Sequence, residues 1–109
     1  MIEEKFLTEK KQTYADYLKT PEGAGYELLN GRVMESPAPY SNHQIIAGEL
    51  HYFLMDFVKK NNCGKVFIAP TDVYLDEHNC VQPDLLFVAS QHSSIITKKN
   101  IQGPPDLAI

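Results

Sequence analysis

The sequence predicts an α/β (α+β) domain in which one long helix packs on a β-sheet, and three features carry that expectation. Asn30-Gly31 separates two short apolar runs, an apolar stripe at helical spacing crosses residues 42–60, and Leu85-Leu86-Phe87-Val88 reads as a strand buried on both faces. The hairpin follows because both residues of its two-residue turn take positive φ, which Asn and Gly tolerate. It pairs Leu29 with Arg32, Leu28 with Val33 and Glu27 with Met34, after which Pro37 and Pro39 end the ladder.

The long helix starts at a cap on Ser41 or Asn42 and reaches about Lys60. Ile46, Leu50, Phe53, Leu54, Phe57 and Val58 form its apolar stripe. It stops at Asn61-Asn62-Cys63-Gly64, with Lys59 and Lys60 in the last turn, where the helix dipole favours cations. Ile46, Leu50, Phe53 and Phe57 are expected to face a sheet containing Leu86 and Val88. Truncating Phe53 or Phe57 to Ala would then cost about 3–5 kcal/mol. Glu49 and His51 are expected in solvent.

Ahead of the hairpin, Thr13 and Asp16 have the spacing of an N-cap and an acidic third residue, opening a short helix through about Lys19 that Pro21, Gly23 and Gly25 end. Residues 1–12 read as a polar, flexible N-terminus. Beyond the long helix, Lys65–Ala69 and Thr71–Asp76 are strand-like, with a bend or bulge at Pro70. Glu77-His78-Asn79 turns the chain, and Cys80–Ala89 returns as a single central strand. Ser90–Gln102 is a polar connection, and Gly103-Pro104-Pro105 leads into a strand that is only beginning at Ile109.

With 109 residues the chain is one domain at most, and its 43% hydrophobic content is that of a folded protein. No apolar run approaches the roughly 18 residues of a membrane helix, and the charged N-terminus has no secretory pattern, so a cytoplasmic protein is expected. Cys63 and Cys80 match no metal spacing, and His78-Asn79-Cys80 lacks the four ligands of a zinc site. The net charge of −4 offers no general attraction to phosphates, and Lys10-Lys11, Lys59-Lys60 and Lys98-Lys99 are scattered pairs. No P-loop, dinucleotide-binding glycine run, nucleophile elbow or HExxH is present.

Four residues are candidates for chemistry. Asp84 follows Pro83 at the mouth of the most apolar strand, where an ionised carboxylate is costly unless a metal, a cation or several donors satisfy it. The plainer reading is an Asp at a strand end bonded to a nearby turn N–H. Glu27 shares a hairpin face with Leu29, Arg32 and Met34; it either pairs diagonally with Arg32 or supplies a further carboxylate near a metal. His43 lies in the first turn of the long helix, against a phosphate or in solvent. Asp106 repeats the Pro-Asp pattern and alone reads as a turn residue bonding local backbone.

The order of these segments is more telling than any one of them. YADYL, YELLNGRVMESPAP, HQIIAGEL, VFIAPTDVYLDEHNCVQPDLLFV and GPPDL, in that order, resemble the Uma-type restriction endonuclease family of the PD-(D/E)XK nuclease superfamily. The resemblance spans about Thr13 to Ile109. It implies a restriction-endonuclease-like core, a mixed sheet flanked by helices, and hydrolysis of nucleic-acid phosphodiesters, DNA before RNA, with Mg²⁺ or Mn²⁺. In that chemistry the ion activates a bound water and offsets charge on the phosphate. On the same ground Asp84 is the metal-binding strand Asp, Glu27 a further catalytic position, and His43 and Asp106 possible ones. In the family, GPPDLAI runs directly into a second metal-binding Glu, followed by a lysine-bearing helix and closing strands. These 109 residues lack them, so a domain truncated at its C-terminal side and inactive by itself is expected. The alternative is a non-catalytic remnant acting as an interaction module, a homodimer joined through its unfinished sheet edge.

Overall fold

The computed structural model describes residues 10–21 and 23–109; the first nine residues of the segment expected to be flexible, and Glu22, lie outside the described residues. In order come α1 (Tyr14–Tyr17), β1 (Tyr26–Leu29), β2 (Arg32–Glu35), α2 (Ser41–Asn61), β3 (Gly64–Ile68), β4 (Val73–Asp76), β5 (Asn79–Val81), β6 (Leu85–Ala89), a 3₁₀ helix (Ser90–Ile95), β7 (Ile101–Gln102) and β8 (Leu107–Ala108). The strands form a five-stranded sheet, β2-β1-β5-β4-β7, and a three-stranded sheet, β3-β6-β8. Only β4 and β7 run parallel, so the larger sheet is mixed.

Local chemistry accounts for the first elements. The Thr13 N–H donates to the Asp16 carboxylate at 2.9 Å, and this bond holds the Asp16 carboxyl below the usual carboxylate range. The hairpin has the expected register, with Asn30 at φ 48° and Gly31 at φ 77°. Gln12 is tied into it: its N–H donates to the Gly31 carbonyl and its side-chain oxygen accepts from the Val33 N–H. Tyr17, Leu28 and Cys80 form the core beneath the hairpin. Burial, and then the nearby Asp72 carboxylate, push the Cys80 thiol up to about 12.

The expected docking of α2 is not observed. Ile46, Leu50, Phe53 and Phe57 are 60%, 40%, 64% and 59% exposed. The helix meets edge strand β3 instead, and its less exposed face carries Ala47, His51, Leu54 and the buried Val58. That set is one residue further along, a rotation of about 100° about the helix axis. The period was legible and the phase was not. The reason lies in β6: Leu86 and Val88 are already covered by Val73 and Ile101, with Phe67, Ile95 and Ile96 around them. His51 is accordingly half-buried rather than in solvent. The helix begins after Tyr40, which makes no side-chain cap bond, rather than at a cap on Ser41 or Asn42. It ends at Asn62 in the left-handed region.

A second correction concerns Cys80–Ala89, which is two strands in two sheets. Pro83 has no N–H to give a ladder, so pairing stops at Val81 and resumes at Leu85 after the chain has crossed between sheets. β6 is central, between β3 and β8. The stretch read as a polar connection holds the 3₁₀ helix and β7, whose two residues are too few to leave a period. Ile101 in β7 is nevertheless buried, and its N–H donates to the Asp72 carbonyl. Among the described residues no helix is long and apolar enough to cross a membrane.

Candidate functional site

Asp84 stands where the chain enters β6. Its carboxylate Oδ2 is 2.8 Å from Nε2 of His43, in the first turn of α2, and both side chains are a little under half exposed. Two candidates 41 positions apart are thus joined, by a helix start that meets the mouth of the central strand β6. The Asp84 backbone is fixed on both sides: its carbonyl accepts from the Ala69 N–H at 3.1 Å, and its N–H donates to the Ile109 carbonyl at 2.7 Å. Ile109 and Leu85 exchange both backbone bonds, continuing the register Leu86↔Ala108 and Phe87↔Leu107. A residue following Ile109 in that register would lie opposite Asp84, on the same face of the sheet.

Glu27 reaches the same passage by another route. Its Oε2 accepts the Gln82 N–H at 2.6 Å, two residues before Asp84, and its Oε1 lies 3.5 Å from the Ser36 hydroxyl. The Gln82 side chain is held as well. Its Nε2 donates to Asp72 Oδ1 at 2.8 Å, and the Tyr17 hydroxyl donates to the same oxygen at 2.7 Å. Burial, and then the bond to Asp72, push the Tyr17 phenol well above its ordinary value, so it stays a donor. Tyr17, Asp72 and Gln82 therefore belong to the setting of Glu27 and Asp84. Nothing in the sequence singled them out, because Tyr17 is 55 positions from Asp72 and 65 from Gln82.

Asp106 is elsewhere. It lies near the far end of β6, opposite Val88 and about 13 Å of strand from Asp84. Its Oδ2 accepts from the Ala89 N–H at 2.7 Å and its Oδ1 is 2.7 Å from His92 Nδ1. The Ala89 N–H, and after it the His92 ring, hold its carboxyl below the usual range. These bonds cap the strand end.

Asp84 and Glu27 are hard oxygen donors of the kind Mg²⁺ and Mn²⁺ prefer. Yet no three metal-capable side chains come together among the described residues. Two acids, one engaged by His43 and the other by the Gln82 backbone, do not make an octahedral site by themselves. The arrangement orients a carboxylate at a strand mouth and ties a second acid to the same stretch of backbone.

No curated protein matches the chain. The family model Uma2, described as a putative restriction endonuclease, matches residues 12–109, which takes in the hairpin, α2, the Asp84 strand and β8. The helices and mixed sheet are compatible with a restriction-endonuclease-like fold. With all but the first eleven residues matched, the chain belongs to the Uma2 family of restriction endonuclease-like proteins.

Proposed function

We propose that this chain carries the Asp84 half of a nuclease active site that hydrolyses nucleic-acid phosphodiesters, with DNA as substrate and Mg²⁺ or Mn²⁺ as cofactor, in the cytoplasm. The observation that supports it is the register of β8 on β6, which aims the backbone leaving Ile109 at Asp84. In the family the next residue is the second metal-binding Glu, and that register would set it beside Asp84. In this reading Asp84 is the metal-binding acid, Glu27 a further acid at the same passage, and His43 orients the Asp84 carboxylate. Asp106, bonded to Ala89 and His92, has a structural role.

The test is cleavage of plasmid DNA with Mg²⁺ or Mn²⁺. The 109-residue chain leaves the plasmid intact, whereas a family-length form continuing past Ile109 cleaves it. In the longer form His43→Ala lowers the rate by about 10–100-fold, as loss of a residue orienting a metal ligand does. Asp84→Ala lowers it further. Robust cleavage by the short chain, or by the long form carrying Asp84→Ala, would overturn the assignment.

One observation favours a second reading, an association module. The exposed apolar stripe of α2 is the kind of surface that marks an interface, and a second copy of the chain is the occupant this reading requires. It places the homodimer on the helix rather than on the sheet edge expected above. Light scattering after size exclusion decides it: a dimer mass that Phe53→Asp converts to a monomer supports the module, and a monomer at all concentrations removes it.

A further inference from the structure

A cleft of about 760 Å³ opens beside the Tyr17–Asp72–Gln82 network. Its exposed lining includes Lys98 and Lys99, and its partly buried lining includes Phe67, Tyr26 and the network itself. Of the three adjacent lysine pairs, Lys98-Lys99 is the one on this cleft. Lys60 is committed to Asp56 at 2.9 Å and Lys11 to Asn30 at 3.1 Å, whereas neither Lys98 nor Lys99 has an acidic partner among the described residues. The described lining carries two lysines against one carboxylate, Asp72, whose Oδ1 already accepts from Tyr17 and Gln82.

These lysines are not on a floppy connection. Ile96 and Ile101 form an antiparallel bridge, closing Thr97-Lys98-Lys99-Asn100 into a tight loop. The Thr97 N–H donates to the Asn100 carbonyl at 2.9 Å, and the Asn100 N–H to Thr97 Oγ1 at 3.1 Å. Asn100 is buried, and its Nδ2 donates to the Tyr14 hydroxyl at 3.1 Å, pinning the loop to α1. The backbone under both ammonium groups is therefore held, which lowers the entropy lost when they close on an anion.

We propose that this cleft binds a single nucleic-acid strand, with Lys98 and Lys99 on successive phosphates and a base against the Phe67 and Tyr26 side. A volume of this size suits a nucleotide or two and excludes a duplex. Aromatic side chains beside a cationic edge are what strand binding without sequence preference uses. Gln82 lines the cleft and is also the residue whose N–H holds Glu27, so a strand there would lie next to the Asp84 passage. The choice of nucleic acid as ligand rests on the nuclease reading; the cationic cleft does not.

The test is fluorescence anisotropy of a labelled single-stranded DNA 12-mer with the 109-residue protein in EDTA. Without metal, the result is independent of whether any form of the protein cleaves DNA. Binding is expected to weaken by about tenfold or more in the Lys98→Gln/Lys99→Gln variant, and its salt slope to fall by about 1.4. Lys59→Gln/Lys60→Gln serves as a charge-matched control and should change affinity less than about twofold. Amide shifts in the unmodified protein should gather on residues 97–101 and around Tyr26, which reads the site without any substitution. Equal losses in the two variants, shifts spread over the whole surface, or no binding at low salt would each overturn the proposal. So would displacement of the strand by micromolar thymidine monophosphate, which would assign the cleft to a free nucleotide.

Discussion

Leu86→Ala is expected to destabilise the protein by about 2–5 kcal/mol, and Phe53→Ala by about 0.5 kcal/mol or less. Leu86 is fully buried in the central strand of the smaller sheet, paired with Phe67 in β3 and Ala108 in β8. Val73, Val88 and Ile101 close around it. Removing its isobutyl group forfeits those contacts, and backbone bonds to strands on both sides keep the space from collapsing. Phe53 carries a larger apolar group but leaves 64% of it in water, so most of its transfer free energy is never gained on folding. Urea unfolding of the two variants beside the parent measures the difference. A Phe53→Ala cost comparable to that of Leu86→Ala would mean that the α2 stripe is covered in solution.

Gly64→Ala is expected to cost about 1–3 kcal/mol, for a steric rather than a conformational reason. Gly64 opens β3 opposite Ala89, and a Cβ placed there would run into the Val88 carbonyl oxygen and the Phe87 ring. The carbonyl belongs to the β6 backbone and cannot rotate aside, so the two strands would have to separate where α2 hands over to the sheet. Gly48, inside α2, provides the contrast: a Cβ there meets nothing within 4 Å. Gly48→Ala should therefore stabilise the protein by about 1 kcal/mol through helix propensity alone. Thermal unfolding of both variants checks the pair, and a neutral Gly64→Ala would show that β3 and β6 are looser than this packing implies.

Whatever depends on neighbours in the chain was legible before any coordinates. The Asn30-Gly31 turn dictates its own register, because two positive-φ residues leave one way to pair Glu27–Leu29 with Arg32–Met34. The length and period of α2 follow from its apolar spacing. Asp84 stood out as a carboxylate at the mouth of an apolar strand. The phase of α2 was not legible, because two helix faces 100° apart are both apolar and the choice between them falls to whatever already covers β6. Nor was the division of 80–89 between two sheets, since a proline reports a break in pairing without saying where pairing resumes. The setting of the site came last of all. His43 on Asp84, Glu27 on the Gln82 backbone, and Tyr17 with Gln82 on Asp72 join residues 41, 55 and 10 or 55 positions apart. Hydrogen bonds at that range leave no local pattern in a sequence, because their geometry exists only once separate strands and helices have been packed together.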